Sequence, residues 1–270
     1  MDLLASGTLP PDGFVAPGLE EFFWEPFLFE GTPFALSRWT LVLLTALGLM
    51  CLVMVKGMAK PQLVPRGMQN LVEVMIDFVR VQIVAELIGK KGAKYLPYFA
   101  ALFFFILFCN SLSIVPPFFF PVTSTIAIPL LLAVVTWVLF NYVGIRKHGF
   151  FGYLKHTTMP PGVPGPMYVL VIPIEFVSNI LLRPITLTVR LMANMMSGHL
   201  LLGLFFAATS YLLYGAFTGE SPWFTALFGV GSLVAGIGFT FFEALVIFLQ
   251  AYIFTLLSAV YVGEAMAEEH

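Results

Sequence analysis

Two apolar runs, about residues 167–214 and 222–266, constrain the fold most, because each is far longer than the ~20 residues a perpendicular membrane span needs. The first, taken as one helix, is ~72 Å long at ~1.5 Å per residue. To stay within ~30 Å of hydrocarbon it must lie at roughly 25° to the membrane plane, or break. Pro184, Gly229, Gly231, Gly236 and Gly238 are the candidate break points. Both runs are too long in the same way, which points to one tilted antiparallel pair joined near Gly219-Glu220-Ser221-Pro222. Inside the first run sits Arg190. A central arginine in lipid costs from about 2.5 kcal/mol to well over 10, depending on local water, so something must stabilise it.

The rest of the chain fits an all-α integral membrane protein. Of its 270 residues 59% are hydrophobic and 10% charged, against about 25% charged in a soluble domain. Five spans are expected, at about 39–55, 95–117, 122–144, 167–214 and 222–266, in a single polytopic membrane domain from 38 to 270. Met68 to Ile88 alternates apolar Leu71, Val72, Met75, Phe78, Val79 and Val84 with Glu73, Asp77, Arg80, Gln82 and Glu86 at helical spacing. That is an amphipathic helix, on the membrane surface or against a partner protein. A net charge of −2 gives no bulk attraction to nucleic acid. Cys51 and Cys109 lie in apolar runs and make no disulfide framework.

Residues 1–37 form an outer segment with six acidic residues and no Lys or Arg, unlike a signal peptide. Its Phe22, Phe23, Trp24, Phe27 and Phe29 suit a membrane interface. Two connecting segments are basic, Lys56 to Lys94 and the loop carrying Arg146, Lys147 and Lys155, and that loop ends in Pro160, Pro161, Pro164 and Pro166. Both segments are therefore expected in the cytoplasm, with the N-terminus and the 118–121 turn outside and the C-terminus inside. His148 and His156 are expected as loop residues.

In an antiparallel hairpin, residues at equal depth have a roughly constant index sum. A turn at Gly219-Glu220 sets Arg190 at the level of Gln250, His199 at Glu243 and Asn194 at Val246. Thr186, Arg190, Asn194 and Ser197 share one polar stripe at ~100° per residue. Glu175 and Asn179 share a ridge nearer the cytoplasm, with Arg183 close by as an interfacial, snorkelling residue. Two polar clusters thus flank Arg190, and buried polar clusters in lipid mark aqueous paths reaching part-way across. The counter-charge is missing from the chain. No Asp or Glu lies between Glu86 and Glu175, nor from Arg38 to Val72. Glu243 sits seven residues from the level of Arg190, ~10 Å along a helix, too far for a direct pair. The facing carboxylate is therefore expected on another subunit.

Pro184 to Gly198, reading PITLTVRLMANMMSG, resembles the signature of subunit a of F-type ATP synthases. FFEALVIFLQAYIFTLLSAVYVGEA, containing Gln250, resembles the other signature helix of that family, and FCNSLSIVPP its stretch from asparagine to proline. The likeness runs from about residue 38 to 266. It implies a bacterial membrane stator, itself no enzyme, that carries protons past a rotating ring of c subunits, each with one membrane carboxylate. It also implies b-type peripheral stalk subunits and the rest of the complex as partners, and no cofactor or metal. Arg190 matches the family's essential arginine, Gln250 its facing glutamine and Asn194 its polar neighbour. His199 and Glu243 match the outer half-channel pair. Asn110 and Ser113 line that path by resemblance, although some members carry an aspartate where this chain has Ser113. Glu175 and Asn179 match the inner path. A free-standing channel or a secondary transporter is the alternative. A transporter usually shows an internal repeat, and the long segments do not repeat the earlier spans.

Overall fold

The computed structural model describes residues 14, 16–22, 37–59, 62–116, 118–159 and 167–267. Phe23, Trp24, Phe27, Phe29, the prolines of 160–166 and the last three residues lie outside them. Among the described residues eight α-helices follow one another: α1 Arg38–Met58, α2 Met68–Val79, α3 Leu96–Ser111, α4 Ala127–His148, α5 Phe150–Thr158, α6 Tyr168–Phe176, α7 Arg183–Thr218 and α8 Thr225–Ala265. Five stretches of the described residues are long and apolar enough to cross a membrane: Arg38–Met58, Gly89–Ser111, Ala127–His148, Tyr168–Thr218 and Thr225–Ala265.

Local sequence explains the boundaries. Ser37 opens α1 by accepting the Thr40 N–H on its hydroxyl at 3.4 Å. Arg146, Lys147 and His148 fill the last turn of α4, where the helix dipole favours cations, and Gly149 stops it at φ 73°. The loop expected beyond is itself helical as α5, so His156 lies in a helix and His148 ends one. Gly219 ends α7 in the left-handed region at φ 78°. Ser221 N–H then bonds back to Gly215 O at 2.8 Å.

The first long run breaks once. Pro184 has no N–H to give to the Ile180 carbonyl four residues back. The chain answers with a π-helical stretch, Val177–Leu182, between α6 and α7. Trp137 Nε1 of α4 takes the freed carbonyl, donating to Ile180 O at 2.7 Å. The glycines of the second run do not break it, for α8 is a single helix of 41 residues. They admit close packing instead. A Cβ on Gly229 would lie 2.8 Å from Leu213, and one on Gly236 3.2 Å from Phe205.

The core sits between α3, α4, α7 and α8. Phe103, Phe140, Leu191, Met195, Ile247 and Phe254 are almost fully buried in it. The apolar face of the amphipathic helix α2 is covered by the chain itself. Val72 and Val79 are buried, and the Phe78 ring meets Phe103, Phe248 and Tyr252 at 5.5–6.0 Å. Glu73, Asp77 and Arg80 stay exposed, with Arg80 paired to Asp77 at 2.8 Å.

Gly144 of α4 faces the Tyr153 ring of α5, and a Cβ there would fall 2.2 Å from it. Because Tyr153 is buried, its ring has little room to retreat. Gly144→Ala is expected to destabilise by about 1–3 kcal/mol, the usual range for overpacking. A lower Tm of the purified complex in detergent would show this, and an unchanged Tm would contradict it.

Candidate functional site

The hairpin of α7 and α8 carries most of the polar residues of interest. Its turn is centred nearer Ser221-Pro222 than Gly219-Glu220, since α7 ends at Thr218 and α8 starts at Thr225. Partners move along accordingly. Asn194, expected opposite Val246, instead donates from Nδ2 to Gln250 Oε1 at 3.5 Å. Glu243 lies directly against Gly198, where a Cβ would come within 2.3 Å of its carboxylate.

These residues line a first polar pocket. A cavity of about 250 Å³ is lined by Asn194, Ser197, Gly198 and Glu243, with Phe239 and Phe242 on its apolar side. Glu243 is 2% exposed and Gln250 4%. Glu243 Oε1 and Gln250 Nε2 are buried without a hydrogen-bond partner among the described residues. So are Asn110 Nδ2 and Ser113 Oγ at the end of α3. Buried polar atoms are nearly always satisfied, so these four call for water. Leu112, between Asn110 and Ser113, packs in one cluster with Met196 and Leu200, which brings that corner to the His199 level of α7. The Thr123 hydroxyl donates to Asn110 Oδ1 and orients its amide. Sequence reasoning missed both Thr123 and Gly198, because Thr123 acts through its contact with Asn110 and Gly198 through the space it leaves for Glu243.

His199 turns away from the Arg190 stripe, and its ring meets Phe22 at 5.6 Å, edge to face. Phe22, expected at a lipid interface, is 8% exposed and packs on Phe120 as well. Its short 3-10 turn, Leu19–Phe22, thus closes over the histidine. Trp39 Nε1 donates to Val122 O at 3.2 Å and Arg38 Nη2 to Phe118 O at 2.7 Å, tying α1 to the same corner.

A second polar pocket lies at the other end of the pair. Asn179 Nδ2 donates to Glu175 Oε2 at 2.7 Å and to Thr157 O at 3.1 Å. Arg183 Nη2 donates to Asn179 Oδ1 and is 2.8 Å from Glu264 Oε2. Its guanidinium also lies 4.6 Å from the centre of the Tyr261 ring. Arg183 is therefore an ion-paired residue of the pocket, not a snorkelling one. A cavity of about 310 Å³ opens among Tyr153, Glu175, Asn179, Arg183, Tyr261 and Glu264. Burial pushes the Tyr153 phenol above its ordinary value, so it stays protonated at physiological pH.

Arg190 stands between the pockets on the exposed side of α7, with Thr186 and Ser197. It makes no hydrogen bond or ion pair among the described residues. Asn194 is one turn above it and Arg183 two turns below. Behind it, Leu187, Leu191, Ala251 and Phe254 are buried in the core.

A family model described as ATP synthase A chain matches residues 36–263. The chain belongs to the ATP synthase A chain family. Similar proteins named ATP synthase subunit a come from Rhodococcus erythropolis, Frankia alni and Streptomyces lividans. The Rhodococcus protein is 48% identical over 99% of this chain and 96% of its own length. The Frankia protein is 41% identical over 100% of this chain and 92% of its own, and the Streptomyces protein 41% over 96% and 90%. Membership makes this chain a multi-pass membrane subunit of an ATP synthase, with no catalytic reaction of its own.

Proposed function

We propose that the chain is the stator that carries protons through two offset half-paths to and from the carboxylates of a rotating c-ring, with Arg190 separating the paths. The observation that carries this reading is the exposed guanidinium of Arg190. It lies on an exposed helix face within the apolar stretch Tyr168–Thr218, with no acidic partner among the described residues. An unpaired charge in lipid is expensive, and a mobile rotor carboxylate removes that cost.

A proton enters from outside past Asn110, Ser113, His199, Glu243 and Gln250. It neutralises a rotor carboxylate, which then turns into lipid without the penalty of a bare charge. After nearly a full turn that carboxyl reaches the inner pocket of Asn179 and Glu175. Nearby Arg190 favours its ionised form, and the proton leaves to the cytoplasm. The guanidinium keeps its own proton at any relevant pH, and its charge repels one crossing directly. The exposed face of α7 and α8 meets the ring, b-type stalk subunits hold the stator still, and the N-terminus lies outside the bacterial cell membrane with the C-terminus in the cytoplasm.

Cross-linking tests the docking face. A cysteine at Ser197, on the Arg190 stripe, is expected to form a disulfide with one placed beside the rotor carboxylate, whereas one at Leu52 on exposed α1 is not. Equal yields from both positions, or none from Ser197, would contradict the assignment.

A further inference from the structure

We infer that Glu264, near the end of α8, is a positioning residue of the inner pocket that balances the charge of Arg183 and thereby sets how readily Glu175 takes up a proton; this rests on the inner half-path proposed above. The chain of contacts is continuous. Glu264 Oε2 holds Arg183 Nη2 at 2.8 Å, the same nitrogen donates to Asn179 Oδ1, and Asn179 Nδ2 donates to Glu175 Oε2 at 2.7 Å. Because Arg183 occupies the Asn179 carbonyl oxygen, the amide nitrogen is directed at Glu175. Four residues, one each from α6, the π stretch, α7 and α8, are thus linked in one chain of contacts.

Charge gives these contacts a second consequence. Glu264 sets a negative charge directly against that of Arg183. Without the Glu264 carboxylate, a full positive charge stands one amide away from Glu175 and disfavours its protonation. The other groups facing the pocket are Tyr153 and Thr157 from α5, and Tyr261 from α8. Lys147, at the end of α4, donates to the Met266 carbonyl and holds the α8 terminus beside them. None of these supplies a negative charge to replace Glu264. Its side chain is half exposed at 52%, against 23% for Arg183. It therefore sits where the pocket meets water, and solvent screens part of its effect.

The test is ATP-driven proton pumping in vesicles of the whole complex, measured against cytoplasmic-side pH. In that direction protons are drawn in through the inner pocket. Glu264→Gln is expected to move the alkaline limit of pumping to lower pH by about half a unit, a modest shift suited to a partly screened charge. The double variant Arg183→Gln with Glu264→Gln removes both charges and is expected to bring the limit back towards wild type. A purely structural role would lower the amount of assembled complex and leave the limit in place. An unmoved limit in Glu264→Gln, or a double variant shifted as far as the single one, overturns the inference. Glu175→Gln is the separate arm. If it pumps normally, the inner path itself is misplaced; if it is impaired while Glu264→Gln matches wild type, only the role of Glu264 falls.

Discussion

Arg190→Ala is expected to abolish coupled ATP synthesis in membrane vesicles while the complex still assembles. Arg190 is exposed on α7 and is not among the residues of the core cluster, so its truncation is expected to leave the packing of Leu187, Leu191 and Phe254 intact. What is lost is electrostatic. A rotor carboxylate arriving opposite alanine would have no cation to favour its ionised form, so it would keep its proton and pass the inner pocket still loaded. The barrier between the two pockets is lost with it, and vesicles stripped of the catalytic head are expected to leak protons faster than wild type. Arg190→Lys is expected to rescue poorly, because a desolvated amine can deprotonate where a guanidinium cannot. Coupled synthesis at wild-type rate in the alanine variant would refute the role.

Gly198→Ala is expected to cut proton flux by about tenfold to a hundredfold, the scale of loss when a reacting group is displaced by ~1 Å. The added Cβ would fall 2.3 Å and 2.4 Å from the two Glu243 oxygens. The carboxylate is the free end of a flexible side chain, so it swings aside at small cost to the fold. Assembly and Tm should therefore change little while transport fails, which separates this variant from an overpacked core. Glu243→Gln should show a similar loss, and adding Gly198→Ala to it should cost little more, since both act on one group. Normal flux in Gly198→Ala would show that the position of the Glu243 carboxylate is unimportant.

The two glycine variants illustrate how far sequence reading reaches. Length and apolar composition located the spans, because ~30 Å of hydrocarbon demands them. The antiparallel pairing of α7 and α8 was legible from two equally over-long apolar runs and the turn residues between them. Its register was less so, as the turn lies nearer Ser221-Pro222 and Asn194 meets Gln250 instead of Val246. Pro184 signalled a break but not its form. A π stretch survives there because Trp137, distant in sequence, covers the Ile180 carbonyl. The pairing of Arg183 with Glu264 was hidden for a related reason. The assumed register put Arg183 opposite Leu257, two turns short of Glu264. Gly198 carried no signal of its own, since its function is to leave space for another residue's charge.

A density map of the intact membrane sector tests the central claim most directly. It should show a rotor carboxylate within about 5 Å of the Arg190 guanidinium, the range in which an opposite charge controls ionisation. A map with Glu175, Glu243 or another acid of this same chain against Arg190, and no rotor alongside, would contradict it.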